Sequence, residues 1–136
     1  MNEKLDCFLL IDDNEADNVY HEIVIEEANC VKEVISVQSA KDGLELLKGD
    51  EEKEPPIPNI IFLDINMPGM NGWEFLDEYQ KLNSEQQADM IVVMLTTSLN
   101  PDDRKRAEKI EAIKDFKTKP LTTNMLKEIL EKHFQH

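Results

Sequence analysis

Residues 5–13 read Leu-Asp-Cys-Phe-Leu-Leu-Ile-Asp-Asp, an apolar run that ends abruptly in two aspartates. Residues 59–64, Asn-Ile-Ile-Phe-Leu-Asp, repeat this arrangement. Near-continuous apolar runs of this length are typical of strands in parallel sheets, because helices cover both faces of such sheets. The two segments therefore predict an α/β fold in which acidic residues lie at the ends of buried strands.

Short apolar runs alternate with amphipathic segments along the chain, as expected for a parallel sheet between two layers of helices. The predicted strands are Leu5–Ile11, Val31–Val37, Asn59–Leu63, Met90–Leu95 and Ile113–Lys117. Helical stripes of apolar residues lie between or after them, and we expect each stripe to face the sheet. The first stripe consists of Ala16, Val19, Tyr20, Ile23 and Val24.

Several helix starts are marked by residues with the spacing of N-terminal caps. These are Ser39 with Asp42, Asn71 with Glu74, and Asn100 with Pro101. The helix predicted over Pro101–Ala112 offers few apolar residues, mainly Ala107 and Ile110, so we expect it to pack lightly.

The composition limits the classes of partner. Asp and Glu outnumber Lys and Arg by 29 to 15 in 136 residues, for a formal charge of -14. Repulsion from phosphates and anionic lipids disfavours nucleic acids and membrane surfaces as direct partners. No apolar run approaches the roughly 18 residues of a membrane span. We expect a cytoplasmic protein that forms a single domain over residues 1–136, without an output domain.

Charged and hydroxyl side chains follow the predicted strands and should meet at one edge of the sheet. They are Asp12, Asp13, Asp64, Thr96 and Lys119. A pair of aspartates alone is an ordinary cap or turn, but three carboxylates at one edge repel one another and favour a cation. The hard oxygen ligands suit Mg²⁺, whereas Zn²⁺ is disfavoured because no histidine or cysteine is adjacent in sequence.

A hydroxyl and an ammonium beside a magnesium site are the groups that hold the remaining oxygens of a phosphoryl group during in-line transfer. Thr96 and Lys119 supply these groups. The arrangement indicates Asp64 as a candidate nucleophile.

Four stretches resemble the receiver domains of bacterial two-component response regulators, especially the single-domain, CheY-like type. These are residues 9–13, 61–72, 93–98 and 115–121, in the order and spacing of that family. The resemblance implies a flavodoxin-like (βα)5 three-layer sandwich with a five-stranded parallel sheet of order 2-1-3-4-5.

The resemblance also implies the ligands of the metal. Asp64 corresponds to the phosphoacceptor, Asp13 to a direct ligand, Asp12 to a ligand through water, and Asn66 to a ligand through its main-chain carbonyl. The implied ion is Mg²⁺, with Mn²⁺ as a substitute.

Further roles follow from the same resemblance. Thr96 and Lys119 correspond to residues that bind phosphoryl oxygens, and Lys119-Pro120 to a cis peptide bond. Thr96 and Phe116 correspond to the pair that switches between two conformations. Phe116 stands where many members carry tyrosine, so packing alone would distinguish the two states.

Two positions near the phosphoacceptor tune the lifetime of the acyl phosphate in the family. They correspond here to Asn66 and Ser98. The approach to the fifth strand departs from the common Gly-Ala of the family, because it reads Ala112-Ile113. This departure leaves the end of the preceding helix open.

The implied function is a regulator that accepts a phosphoryl group from the phosphohistidine of a sensor histidine kinase or phosphotransfer domain. It catalyses its own phosphorylation and dephosphorylation and is not otherwise an enzyme. A downstream protein, or a homodimer through the last two helices and the fifth strand, would carry the output. Exposed charges that are candidate contacts, or simply a solvated surface, are Arg104, Lys105, Arg106, Lys127 and Glu131.

Two alternatives remain at this stage. One is a phosphorylation-independent adaptor on the same fold, which the complete acidic site disfavours. The other is a phosphatase with Asp64 as nucleophile, which needs an acid to protonate the leaving group. Asn66 cannot serve as that acid.

Overall fold

The computed structural model describes residues 4–49, 57–82, 90–97 and 100–134, which form alternating strands and helices. The strands are β1 (Leu5–Ile11), β2 (Val31–Val37), β3 (Ile60–Leu63), β4 (Ile91–Thr96) and β5 (Ile113–Thr118). The helices are α1 (Glu15–Ala28), α2 (Ala40–Lys48), α3 (Gly72–Tyr79), α4 (Pro101–Glu108) and α5 (Thr123–His133). The predicted bounds of β1 and β2 are confirmed. Those of β3 and β5 differ by one residue at one end, and those of β4 by one residue at both ends.

The sheet is parallel throughout, with strand order β2-β1-β3-β4-β5. This confirms the predicted fold class. Side chains alternate along β1, so that Leu9 and Ile11 enter one core with α2, α3 and α4. Phe8 and Leu10 enter a second core with α1 and α5. The central strands are thus buried on both faces, as their continuous apolar sequence predicted.

The predicted helix caps are confirmed. Ser39 accepts a hydrogen bond from the Asp42 amide, and Asn100 caps α4 with Pro101 at its first turn. Asn71 and Glu74 form a reciprocal capping box at the start of α3. None of the helices in the described part of the chain is long and apolar enough to cross a membrane.

The prediction for α1 was wrong, because most of its apolar stripe faces away from the sheet. Val19, Tyr20 and Ile23 are 50%, 49% and 48% exposed. The buried face carries Asn18 and His21, together with Val24 and Ile25 nearer the end of the helix.

Hydrogen bonds explain this rotation of α1. Asn18 Nδ2 donates to the carbonyls of Asp12 at 3.0 Å and of Val37 at 3.3 Å. Asp12 directly follows β1, and Val37 is the last residue of the neighbouring strand β2. Buried carbonyls need such partners, and a side-chain amide supplies them better than an apolar group. Two stripes of similar spacing compete along α1, and the polar stripe wins near the carboxyl edge of the sheet.

Helix α4 packs lightly, as predicted. Ala107 is its buried residue, and Ile110, just beyond its end, is only partly buried against the core. The helix ends at Glu108 rather than at the predicted Ala112, and the Ile110 carbonyl instead accepts a bond from the Ile113 amide at the start of β5. The chain turns early because Ile113 must join the sheet.

Candidate functional site

The predicted site residues lie together at the carboxyl edge of the sheet. Asp12 follows β1, Thr96 ends β4, and Asp64 and Lys119 come directly after β3 and β5. Backbone bonds extend the ladders one step past the strands: the Asp64 amide donates to Ile11 at 3.1 Å, and the Lys119 amide to Thr96 at 2.8 Å. The sheet itself therefore fixes the positions of these residues.

Three carboxylates form a cluster that we call the acidic trio: Asp12, Asp13 and Asp64. Their nearest carboxylate oxygens all lie within 4.8 Å of one another. Asp12 and Asp64 are buried, whereas Asp13 is exposed. An all-oxygen set that is open on one side matches the preference of Mg²⁺ for hard ligands and retained waters. The residues present therefore fit a magnesium ion.

Lys119 is the cation of the site. Its Nζ lies 2.5 Å from Asp12 Oδ2, 3.0 Å from Asp17 Oδ2 and 3.5 Å from Asp64 Oδ2. Its peptide bond to Pro120 is cis, as the sequence resemblance implied. Burial alone would lower the pKa of Lys119, but hydrogen bonds to Asp12 and Asp17 outweigh burial and raise it. The lysine is therefore charged.

Asp17 was missed by sequence reasoning. It lies in the first turn of α1, where acidic residues are common because they favour the helix dipole. Its position therefore carried no sign of a special role, and only the fold brings it to Lys119 across 102 residues of sequence.

Burial raises the pKa of Asp64 to about 6, although the nearby Lys119 lowers it and Asp12 raises it further. The main cause of this rise in pKa is loss of hydration rather than repulsion between carboxylates. Without a metal, part of the Asp64 population is protonated near pH 6. A bound cation would favour the ionised form that a nucleophile requires.

A small cavity of about 10 Å³ adjoins the acidic trio. Its polar lining residues are Asn18, His21, Asp12 and Asp64, and the rest of its lining is apolar. Burial, together with repulsion from Lys119, lowers the pKa of His21, so this imidazole is neutral at pH 7. The fold thus places a histidine near the acidic trio that the sequence did not.

The loop between Asp64 and α3 turns tightly back on its own backbone. A Cβ on Gly72 would lie 2.5 Å from the Asp64 carbonyl oxygen, so only glycine fits. The Gly72 amide donates to Ile65 at 2.8 Å. Asn66 is exposed within this loop, two residues after Asp64.

The predicted switch residues lie on adjacent strands. Thr96 is fully buried at the end of β4, and Phe116 on β5 is half-buried beside Met94 of β4. The Arg104 guanidinium lies 5.6 Å from the centre of the Phe116 ring, so α4 touches the switch position. Ser98, the second predicted tuning residue, lies outside the described residues.

A second arginine of α4 has a similar contact. The Arg106 guanidinium lies 4.5 Å from the centre of the Trp73 ring on α3. Arg104 and Arg106 are exposed, yet both stack on aromatic rings. These two side chains therefore contact aromatic rings of the protein itself, whereas the sequence left open either partner contacts or a solvated surface.

Comparison with known sequences places these observations in a family. Residues 8–131 match the family model of the response regulator receiver domain. Response regulator Rcp1 of Synechocystis is 35% identical over 96 residues, which cover 70% of this chain and 64% of that protein. The probable methanogenesis regulatory protein FilR2 of Methanothrix harundinacea is 28% identical, over 90% of this chain and 77% of that protein.

Solved structures agree. A two-component response regulator from Cytophaga hutchinsonii superposes with a TM-score of 0.85 at 33% identity, covering 98% of this chain and 100% of that one. The likeness therefore extends over the strands, the helices and the carboxyl edge where the acidic trio lies.

Proposed function

Because this chain belongs to the response regulator receiver domain family, we propose that it is a regulator that is switched by phosphorylation of Asp64. The burial of Asp64 within one site that holds Lys119, Asp12 and Asp13 carries this proposal. A carboxylate that serves only as a cap or turn would gain nothing from a buried lysine and two further carboxylates.

Mg²⁺ is the proposed metal, with Mn²⁺ as a substitute. Asp13 and Asp64 would bind it directly, Asp12 through water and Asn66 through its main-chain carbonyl. When bound, the ion neutralises the charge that develops on the transferring phosphoryl group.

The proposed reaction forms a bond between an Asp64 carboxylate oxygen and phosphorus as the bond from phosphorus to the donor histidine nitrogen breaks. Lys119 and the Thr96 hydroxyl hold phosphoryl oxygens. The chain thereby catalyses its own phosphorylation, and water later hydrolyses the acyl phosphate. Asn66 and Ser98, close in sequence to Asp64 and Thr96, would tune that hydrolysis.

The proposed donor is the phosphohistidine of a sensor histidine kinase or phosphotransfer domain. The stripe of Val19, Tyr20 and Ile23 on α1 supports a protein donor, because α1 starts at the acidic trio and leaves this stripe exposed. Exposed apolar side chains that adjoin a reactive site are typical of a protein-binding surface. An apolar surface of the donor would cover the stripe while the phosphohistidine reaches Asp64.

The proposed output is a change of surface on α4, β5 and α5. Adding a dianion at Asp64 would draw Thr96 toward it and let the Phe116 ring turn inward, away from Arg104. A downstream protein, or a second copy of the chain, would bind the changed surface. The charge of -14 supports protein partners over nucleic acids or membranes. We also propose that the chain acts as a single receiver domain.

Labelling with acetyl phosphate tests the acceptor. With Mg²⁺, intact-mass measurement should show one added phosphoryl group on the wild type. Asp64→Ala should remain unlabelled, and a chelator should abolish the labelling of the wild type. Equal labelling of Asp64→Ala would overturn the assignment of Asp64, and labelling that persists in chelator would overturn the role of the metal.

A further inference from the structure

We infer that Asp17 is a positioning residue that holds the Lys119 ammonium on the α1 side of the site and thereby limits how strongly Lys119 engages Asp64. This inference rests on the proposed function, since it concerns the same site. Asp17 belongs neither to the acidic trio nor to the residues that the family resemblance assigned.

The geometry of Lys119 carries the inference. Its Nζ is nearer to Asp17 Oδ2, at 3.0 Å, than to Asp64 Oδ2, at 3.5 Å. The contact with Asp17 is a hydrogen bond, whereas that with Asp64 is a longer ion pair. One ammonium has three donors, so Asp12, Asp17 and Asp64 share a single cation.

Asp17 differs from the other two carboxylates in its surroundings. Its side chain is 38% exposed, whereas those of Asp12 and Asp64 are 6% and 8% exposed. Asp17 also sits in the first turn of α1, where Asn14 caps its amide. It is therefore a fixed carboxylate at the mouth of the site that can pull Lys119 away from the reacting group.

Two opposite consequences follow for the site. While Asp17 and Asp12 hold Lys119, the lysine competes less with Mg²⁺ for Asp64, so metal binding is favoured. The same contact withholds positive charge from the phosphoryl group, so transfer is slowed. Removing the carboxylate should weaken metal binding and speed phosphorylation, a combination that general loss of structure cannot produce.

Asp17→Asn is the test, with Glu15→Gln as its matched control. Glu15 is an exposed acidic residue in the same first turn, and its replacement removes the same charge. At saturating Mg²⁺, Asp17→Asn should be labelled by acetyl phosphate about threefold to fivefold faster than the wild type, the scale of a partly exposed ion pair. Its Mg²⁺ dissociation constant, measured by calorimetry, should rise by about the same factor, and Glu15→Gln should change either value less than about twofold.

A double-mutant cycle shows whether Asp17 acts through Lys119. In a Lys119→Gln background, Asp17→Asn should alter the Mg²⁺ dissociation constant no more than Glu15→Gln does. Asp17→Glu, which keeps the charge, should behave as the wild type.

The outcomes separate this inference from the proposed function. A wild type that neither binds Mg²⁺ nor becomes labelled overturns both. If the wild type is labelled and binds Mg²⁺, three results would overturn the role of Asp17 alone. Asp17→Asn could match Glu15→Gln, or it could show both slower labelling and weaker Mg²⁺ binding. Its change in the Mg²⁺ dissociation constant could also persist in the Lys119→Gln background.

Discussion

Helices α1 and α4 both begin at the carboxyl edge of the sheet, but they are attached to it in opposite ways. Helix α1 buries Asn18 and His21 and exposes large apolar side chains. Helix α4 buries Ala107 and lays the exposed Arg104 and Arg106 over aromatic rings. Neither helix presents a continuous apolar stripe to the core along its whole length, as the usual rule requires.

The difference shows which helix can move. The buried amide of Asn18 ties α1 to two strand ends, and Asp17 ties it to Lys119. Buried hydrogen bonds are costly to break. Exposed cation–π contacts are each worth only about 0.5–1 kcal/mol. We therefore propose that α1 belongs to the fixed, phosphoryl-accepting part of the molecule and α4 to the part that changes on phosphorylation.

Asn18→Ala should have the largest effect. It removes the Asn18 partner of the buried Asp12 carbonyl and of the partly buried Val37 carbonyl, which keeps its bond from the Asp12 amide. We expect the free energy of unfolding to fall by about 2–3 kcal/mol. Asn14→Ala, which removes only the exposed cap of the same helix, should cost about 1 kcal/mol. Urea denaturation of the three proteins measures both losses. If both variants lose the same free energy of unfolding, Asn18 does not hold α1 more strongly than an ordinary exposed cap does.

The sequence predicted the strands well because buried parallel strands are continuous apolar runs, as in residues 59–64. The sequence also predicted that Asp64 and Lys119 lie at one edge of the sheet, since the order of elements determines which strand ends meet. Periodicity could not choose between the two stripes of α1, because hydrogen bonds to other elements decided the rotation. Asp17 was missed for the same reason: its partner Lys119 is distant in sequence.

Changing the exposed stripe of α1 should have an intermediate effect. Val19→Ser with Ile23→Ser should slow phosphoryl transfer from the protein donor about tenfold, because apolar contacts at a docking surface contribute about 1 kcal/mol or more. Stability should change by less than about 0.5 kcal/mol, since both side chains are exposed. The measurement is transfer from the purified, radiolabelled histidine kinases of the same genome.

Two controls show whether the slower transfer is specific to the α1 stripe. Ile57→Ser removes an equally exposed apolar residue, 52% exposed, that precedes β3 and so lies toward the opposite edge of the sheet. It should leave transfer unchanged. Labelling by acetyl phosphate should be the same in all variants, because this small donor reaches Asp64 without binding to the stripe. If the double variant receives phosphoryl groups from its kinase at the wild-type rate, α1 is not the docking surface.

Arg104→Ala should have the smallest effect, and it bears directly on α4. Loss of the contact with Phe116 should cost about 0.5–1 kcal/mol, so amide hydrogen exchange within Pro101–Glu108 should accelerate about twofold to fivefold. Lys105→Ala, at the exposed neighbouring position, should not accelerate exchange, because Lys105 stacks on no ring among the described contacts. Exchange in α1 should stay unchanged in both variants, because Asn18 and Asp17 still hold that helix. Faster exchange in α1 as well would mean that the two helices open together, and the separation of a fixed accepting side from a mobile output side would fail.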